Sequence, residues 1–116
     1  MLVQVNTDNH VSGDDELAGR VAGEMERNLK RFSSQITRIE VHLNDENGDK
    51  AGAADKRCLL EVRVRGLEPF AVSHNAPSIA EAVKGATDKL VRSLDRTMAK
   101  LRHPKGRDPF ETEATP

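Results

Sequence analysis

The sequence predicts an α+β fold, a two-layer sandwich in which two helices pack on one face of a four-stranded sheet, in the chain order β-α-β-β-β-α. Two segments carry apolar residues at helical spacing, whereas four shorter segments have the character of strands, two of them alternating strictly between apolar and polar residues. The 116 residues suit one domain with a modest core. Hydrophobic residues make up 36% and charged residues 32% of the chain, which is a polar but periodic composition.

The N-terminal segment predicts one strand followed by one helix. Leu2–Asn6 places Val3 and Val5 on one side of a short strand. Ser12 is positioned to cap the helix, and the acids at 14–16 favour the positive end of its dipole. The helix then presents one apolar stripe, which consists of Leu17, Val21, Met25, Leu29 and Phe32.

Three further strands follow, and their connections predict an antiparallel meander. Thr37–Asn44 and Arg57–Arg65 alternate strictly, and Phe70–His74 forms a shorter third strand. The inward positions of the first two are apolar: Ile39, Val41, Leu43, Cys58, Leu60, Val62 and Val64. In this register Cys58 is predicted to be a small buried hydrophobe, with a redox-active thiol as the alternative.

The last third of the chain predicts a long helix from Ser78 to Lys105. Ser78 and Glu81 match a capping box at its start. The buried stripe is predicted to be Ile79, Val83, Ala86, Leu90, Leu94 and Leu101. The domain therefore spans 1–105, and 106–116 is a flexible acidic tail, with a short docking segment around Phe110 as the alternative.

Composition excludes several classes of protein. One cysteine cannot form an internal disulfide framework, and no apolar run approaches the roughly 20 residues of a membrane span. The N-terminus lacks the basic and apolar regions of a secretory signal, so we expect a cytoplasmic protein without a membrane partner. The chain has no Trp and no Tyr, which argues against single-strand recognition by base stacking.

No catalytic constellation is present, so we expect neither an enzyme nor a small-molecule substrate. Gly-rich phosphate loops, Ser/His/Asp orders and Cys/His pairs are all missing from the sequence. The acidic loop 45–55 lacks the terminal Glu of a calcium-binding EF-hand loop and is predicted to be solvated. We expect no cofactor and no metal site, because the histidines lack a placed carboxylate: His10, His42, His74 and His103.

Charge is segregated although the formal net charge is only −1. The last helix carries far more bases than acids, and a line of bases shares one sector of it: Lys89, Arg92, Arg96 and Lys100. Arg102 lies on the opposite flank of that helix. The first helix adds its own bases, Arg20, Arg27, Lys30 and Arg31. Two interpretations stay open, a solvated helix surface and a patch that follows successive phosphates.

These features together resemble the family of ribosome hibernation-promoting factors and ribosome-associated inhibitors, also called sigma-54 modulation proteins. The resemblance covers residues 1 to about 105 and depends on the strand and helix order and on "AVKGATDKLVRSLDRTMAKLR". In that helix Asp88-Lys89-Leu90, Arg92 and Leu94 match the family pattern. The departures are Ala80 for an early Tyr, Lys84 for an Asp and Met98 for a Lys.

The resemblance implies a short-form, double-stranded-RNA-binding-domain-like protein that binds the small ribosomal subunit in its decoding channel. It would contact ribosomal RNA there and silence idle ribosomes under stress or in stationary phase, as a monomer when free. The expected contact residues are Lys89, Arg92, Arg96, Lys100, Arg102, Arg20, Arg27, Lys30 and Arg31. The alternative is a protein-interaction module of the same fold that acts on a non-ribosomal partner.

Overall fold

A computed structural model describes residues 1–8, 14–45 and 55–102 of the chain. Two helices are present in these ranges, α1 (Asp14–Asn28) and α2 (Ile79–Arg102), together with a short 3-10 helix, Lys30–Phe32. The strands are β1 (Leu2–Thr7), β2 (Ile36–Asp45), β3 (Lys56–Val64) and β4 (Phe70–Ala76). The predicted element order is therefore confirmed.

The four strands form one sheet in the spatial order β1-β2-β3-β4. β1 pairs in parallel with β2, placing Val3 beside Ile39, because α1 carries the chain back across the sheet before β2 begins. β2, β3 and β4 form the predicted antiparallel meander. The sheet is therefore mixed, with β1 and β4 as its edges.

Both helices cover the same face of the sheet, as predicted for a two-layer α+β fold. α1 packs on β1, while α2 packs on β3 and β4. All seven apolar positions predicted to face inward on β2 and β3 are buried. Burial of apolar surface between the two layers is the dominant stabilising term in such a fold.

The two helices differ from the predicted stripes at their C-terminal ends. α1 ends at Asn28, and the 3-10 turn that follows still directs Phe32 into the core, where it is 3% exposed. Leu101, predicted to be buried, is 50% exposed. A helix of 24 residues extends for about 36 Å, whereas the 7-residue strand β4 beneath it extends for about 24 Å, so the last turn of α2 has no strand to cover it.

The Ser78 half of the predicted capping box is confirmed at the start of α2. The backbone N–H of Glu81 donates to Ser78 Oγ at 3.2 Å. The other predicted cap, Ser12, lies outside the described residues, as do 46–54 and the tail 106–116 with Phe110. Neither described helix is long and apolar enough to cross a membrane.

The ends of the acidic loop are buried, which corrects the expectation of a fully solvated loop. Asp45 is 7% and Asp55 is 3% exposed. Lys56 Nζ lies 3.0 Å from Asp55 Oδ1 and 3.6 Å from Asp45 Oδ2. Asp8 Oδ2 accepts from the Asp45 backbone and from the Asn44 side chain, each at 3.2 Å. Strand pairing thus places Asp45 and Asp55 beside the Lys56 ammonium group, which offsets the cost of burying their charge.

Candidate nucleic-acid interface

α2 carries its basic side chains on the side that faces away from the core. Its opposite face is fully buried, with Leu90 and Leu94 at 0% exposure. The basic residues on the solvent side of the helix are all exposed: Lys89, Arg92, Arg96 and Lys100. The amphipathic pattern of the helix therefore fixes these cations outside the fold, in line with the sequence prediction.

Three of these four cations make no polar contact within the described part of the chain. Within residues 1–8, 14–45 and 55–102, no hydrogen bond or ion pair involves the side chains of Arg92, Arg96 or Lys100. Arg and Lys side chains without internal partners keep all their N–H donors available to an external anion. These three residues are called the free α2 cations below.

Lys89 differs from its neighbours because it contacts the edge of the sheet. Its Nζ atom donates to the backbone carbonyl of Ser73 on β4 at 2.8 Å. An ammonium has three donors, so this bond leaves two of them for another acceptor. Lys89 therefore fastens α2 to β4 and still presents its charge at the surface.

The bases of α1 lie along the groove between the two helices. Arg20 and Arg27 line one part of it, together with Ile79 and Ala80 at the start of α2. Arg20 also pairs with Glu16 one turn earlier at 3.8 Å, but both side chains are more than two-thirds exposed, so the pair contributes little. The groove is thus open to solvent, with cations on its α1 side.

The neighbouring part of the same groove has mixed charge. It encloses about 550 Å³, and Glu24 and Asn28 of α1 line it together with Asp88 and Arg92 of α2. Lys84 Nζ lies 3.5 Å from Asp88 across one helical turn. The two helices therefore frame a common groove, but acids are interspersed among its bases.

Arg31 is paired with an acid of α2 at the surface of the domain. Its guanidinium binds the Asp95 carboxylate with two hydrogen bonds, at 2.7 and 3.2 Å, and lies 4.2 Å from the centre of the Phe32 ring. The hydrogen bond to Asp95 raises the pKa of Arg31. The predicted contact Arg31 is thus already neutralised, whereas Lys30 beside it is exposed. The side chain of Arg102 lies outside the described part of the chain.

The two histidines within the described residues, His42 and His74, lie on opposite faces of the sheet. His74 pairs with Cys58 and faces the helices, while His42 pairs with Leu59 and faces the opposite side. The His74 ring fills the space above Gly85, so no ligand backbone can approach the helix there. His10 and His103 lie outside the described ranges.

Sequence reasoning missed a cluster on the outer face of the sheet, where His42 meets Glu40 and Glu61. The sequence alone placed no carboxylate beside a histidine. In the folded sheet Glu40 of the same strand and Glu61 of the paired strand both lie beside His42. The Glu40-x-His42 spacing was a possible signal, because alternate strand residues share a face. The register that adds Glu61 could not be read from the sequence.

Comparisons with known proteins agree with this architecture. The family model described as "Sigma 54 modulation protein / S30EA ribosomal protein" matches residues 3–102. A ribosomal subunit interface protein from Coxiella burnetii has a similar structure, with a TM-score of 0.66 at 16% identity, over 86% of this chain and 100% of that chain. The N-terminal domain of Thermus thermophilus Protein Y is similar with a TM-score of 0.63 at 18% identity, over 84% of this chain and 99% of that chain. No curated protein matches the sequence.

Proposed function

Because this chain belongs to the sigma 54 modulation protein / S30EA ribosomal protein family, we propose that it is a ribosome-associated translation inhibitor. In this proposal it binds the small ribosomal subunit in the decoding channel and silences idle ribosomes under stress or in stationary phase. Family membership gives the association with the ribosome, and the names of the two similar structures, a ribosomal subunit interface protein and Protein Y, agree with it. The protein would act in the cytoplasm by binding and not by catalysis.

The observation that carries the proposal is the set of free α2 cations. Arg92, Arg96 and Lys100 are spaced by four residues each, so they follow one another along a single line of the helix. Phosphate groups repeat along an RNA backbone, and a line of unpaired cations can neutralise several of them together. Lys89 extends this line toward the start of the helix.

The remaining proposed contacts differ in how ready they are to bind phosphate. Arg20, Arg27 and Lys30 are exposed on the α1 side and can act without breaking a buried interaction. Arg31 must first release Asp95, so its contribution is expected to be smaller. Arg102 completes the set proposed from the sequence.

The rigid support of these cations fits the recognition of folded RNA. Structured RNA is bound through shape and phosphate contacts, which require a fixed basic surface. α2 is held against β3 and β4 along its core face, so the cations are spaced by the helix itself. Phe32 is buried and Phe70 is half-buried, so neither offers an open platform for a single-stranded base.

The test is co-sedimentation of the purified protein with small ribosomal subunits across a salt series. The variant Arg92→Glu/Arg96→Glu/Lys100→Glu reverses the free α2 cations, while Arg63→Glu makes the same kind of change on the outer face of the sheet, where Arg63 is also exposed. We expect the triple variant to lose binding and Arg63→Glu to keep it. Single Arg→Gln variants should each lower the salt slope by about 1.

Each alternative gives a different result. Strong binding by a folded triple variant would overturn the role of the free α2 cations. Salt-insensitive capture of a non-ribosomal protein, without binding to subunits, would favour the protein-interaction module. If mRNA and tRNA on the small subunit do not displace the protein, its contact lies outside the decoding channel.

A further inference from the structure

The outer face of the sheet, opposite the helices, carries three side chains whose donor atoms converge. Glu40 and His42 occupy alternate positions of β2 and therefore point to the same side. Glu61 of β3 lies directly opposite Glu40 in the antiparallel register. Two paired strands thus place an imidazole and two carboxylates on one patch, far from the helix surface proposed to bind the ribosome.

The distances within this patch match those between ligands of one metal ion. His42 Nε2 lies 3.0 Å from Glu61 Oε1 and 3.6 Å from Glu40 Oε1, and all three ligand atoms lie within 4.8 Å of one another. Nitrogen and oxygen ligands about 2.0–2.1 Å from a tetrahedral zinc ion are about 3.3 Å apart. The two distances to His42 lie on either side of that value, so small side-chain movements suffice to form a site.

One carboxylate of the patch is already oriented by its neighbours. Arg38 Nη2 lies 2.7 Å from Glu40 Oε2, and the same nitrogen donates to the Gln4 side chain at 2.5 Å. This contact occupies one oxygen of Glu40 and leaves the other, Oε1, directed toward His42. Such outer hydrogen bonds fix the orientation of metal-binding carboxylates in known sites.

The surroundings leave space for a further ligand. A surface groove of about 410 Å³ lies beside the two carboxylates, lined also by Arg38, Arg63 and Phe70. Open zinc sites have three protein ligands, which include imidazole nitrogens and carboxylate oxygens, and water or another molecule takes the fourth position. Calcium and magnesium prefer oxygen ligands alone, so the imidazole favours a transition metal.

We propose that Glu40, His42 and Glu61 form a binding site for a divalent transition metal ion of the zinc class on the outer face of the sheet. The ion replaces the hydrogen bond between His42 and Glu61 and joins β2 to β3. The site is separate from the proposed ribosome-binding surface, so each can be tested while the other is intact.

The experiment titrates Zn²⁺ alone into the full chain in a buffer without chelators. Isothermal titration calorimetry measures the heat of binding. His42→Ala removes one ligand from a half-buried position, and Glu61→Gln removes one from an exposed position. His103→Ala and Glu26→Gln are the matched controls, since they remove the same residue types elsewhere in the chain. We expect one equivalent of Zn²⁺ to bind the native chain, at least tenfold weaker binding by the two ligand variants, and native affinity in both controls.

A second readout separates coordination from a general effect of charge. Co²⁺ bound by the native chain should give the visible absorption of a four-coordinate site, and His42→Ala should abolish it. Native Zn²⁺ affinity in His42→Ala, or no saturable binding by the native chain, would overturn the site. The ribosome-binding triple variant should bind Zn²⁺ normally, so a failure of the proposed function would leave this result unaffected.

Discussion

The imidazole ring of His74 lies in the space that a Cβ atom on Gly85 would occupy. His74 faces the helices from the edge strand β4, opposite Cys58, and Gly85 lies on the turn of α2 above it. Glycine is needed at position 85 because the ring approaches the helix backbone closely, not because of an unusual backbone dihedral angle. The contact seats α2 on the edge of the sheet.

Gly85→Ala should therefore destabilise the protein even though alanine favours helices. The overlap with a packed ring costs about 1–3 kcal/mol, whereas the helix gains about 1 kcal/mol from alanine. We expect the free energy of unfolding, measured by urea denaturation, to fall by up to about 2 kcal/mol. Gly19→Ala is the matched control, because no atom lies within 4 Å of the added Cβ, and it should stabilise by about 0.5–1 kcal/mol.

The double variant His74→Ala/Gly85→Ala tests whether the ring is the cause. Removal of the ring opens the space for the new methyl group, so alanine at position 85 should be stabilising in the His74→Ala background. An equal loss from alanine at position 85 in both backgrounds would mean that a different contact is responsible.

Asp95→Asn should strengthen binding to the small ribosomal subunit. Asp95 holds Arg31 with two hydrogen bonds, and its substitution frees that guanidinium and removes a negative charge near the free α2 cations. We expect a few-fold gain in affinity in the co-sedimentation assay and only a small change in Tm, since both side chains are more than half exposed. Asp95→Asn should have a smaller effect in an Arg31→Ala background. An unchanged gain there would show that Arg31 takes no part.

The Lys56 ammonium should make the stability depend on pH in alkaline solution. The hydrogen bond to Asp55 is the largest cause of a raised Lys56 pKa, against an ordinary value of 10.5. The stabilisation it provides is fully present below pH 10.5 and is lost as pH rises through the raised pKa of the folded state.

Lys56→Met is the variant that isolates this effect. It leaves Asp45 and Asp55 buried without their ammonium, so its Tm should be lower at neutral pH. The difference in Tm from the native chain should shrink above pH 10.5. Other ionisations, including that of Cys58, are common to both proteins and cancel in the difference. A constant difference up to the highest pH tested would contradict the prediction.

Cys58 should be unreactive in the folded protein. Desolvation raises the pKa of its thiol to about 12, and the side chain is 0% exposed in the core. At pH 8 the thiolate population is then about a thousandfold below that of an ordinary cysteine, so alkylation should be at least that much slower. Mass spectrometry after iodoacetamide treatment, with and without urea, measures the difference. Rapid labelling without urea would instead support the redox-active alternative.

Much of the fold could be predicted from local patterns. Strict alternation in β2 and β3 identified the inward residues, because neighbouring strand residues face opposite sides of a sheet. The helical spacing of Val83, Leu90 and Leu94 did the same for α2. The prediction that Leu101 is buried was wrong, because burial requires a partner surface. The length of the strand beneath a helix cannot be read from the sequence of the helix.

The candidate site could be predicted less completely, because charge partners come from distant parts of the chain. The helical sector of Arg92, Arg96 and Lys100 followed from sequence spacing. The hydrogen bond from Lys89 to Ser73 on β4 could not be predicted from that spacing. Nor could the neutralisation of Arg31 by Asp95, which is 64 residues away. Local sequence gives the direction of a side chain but not what it meets.

The sequence by itself determined the order of the elements, the composition of the core and the sign of charge on α2, because these depend on periodicity within single segments. Only the tertiary structure decided which cations stay free, why position 85 must be glycine, and that Glu40, His42 and Glu61 converge on the outer face. Each of these depends on strand register or helix docking, which bring together residues that no local pattern connects.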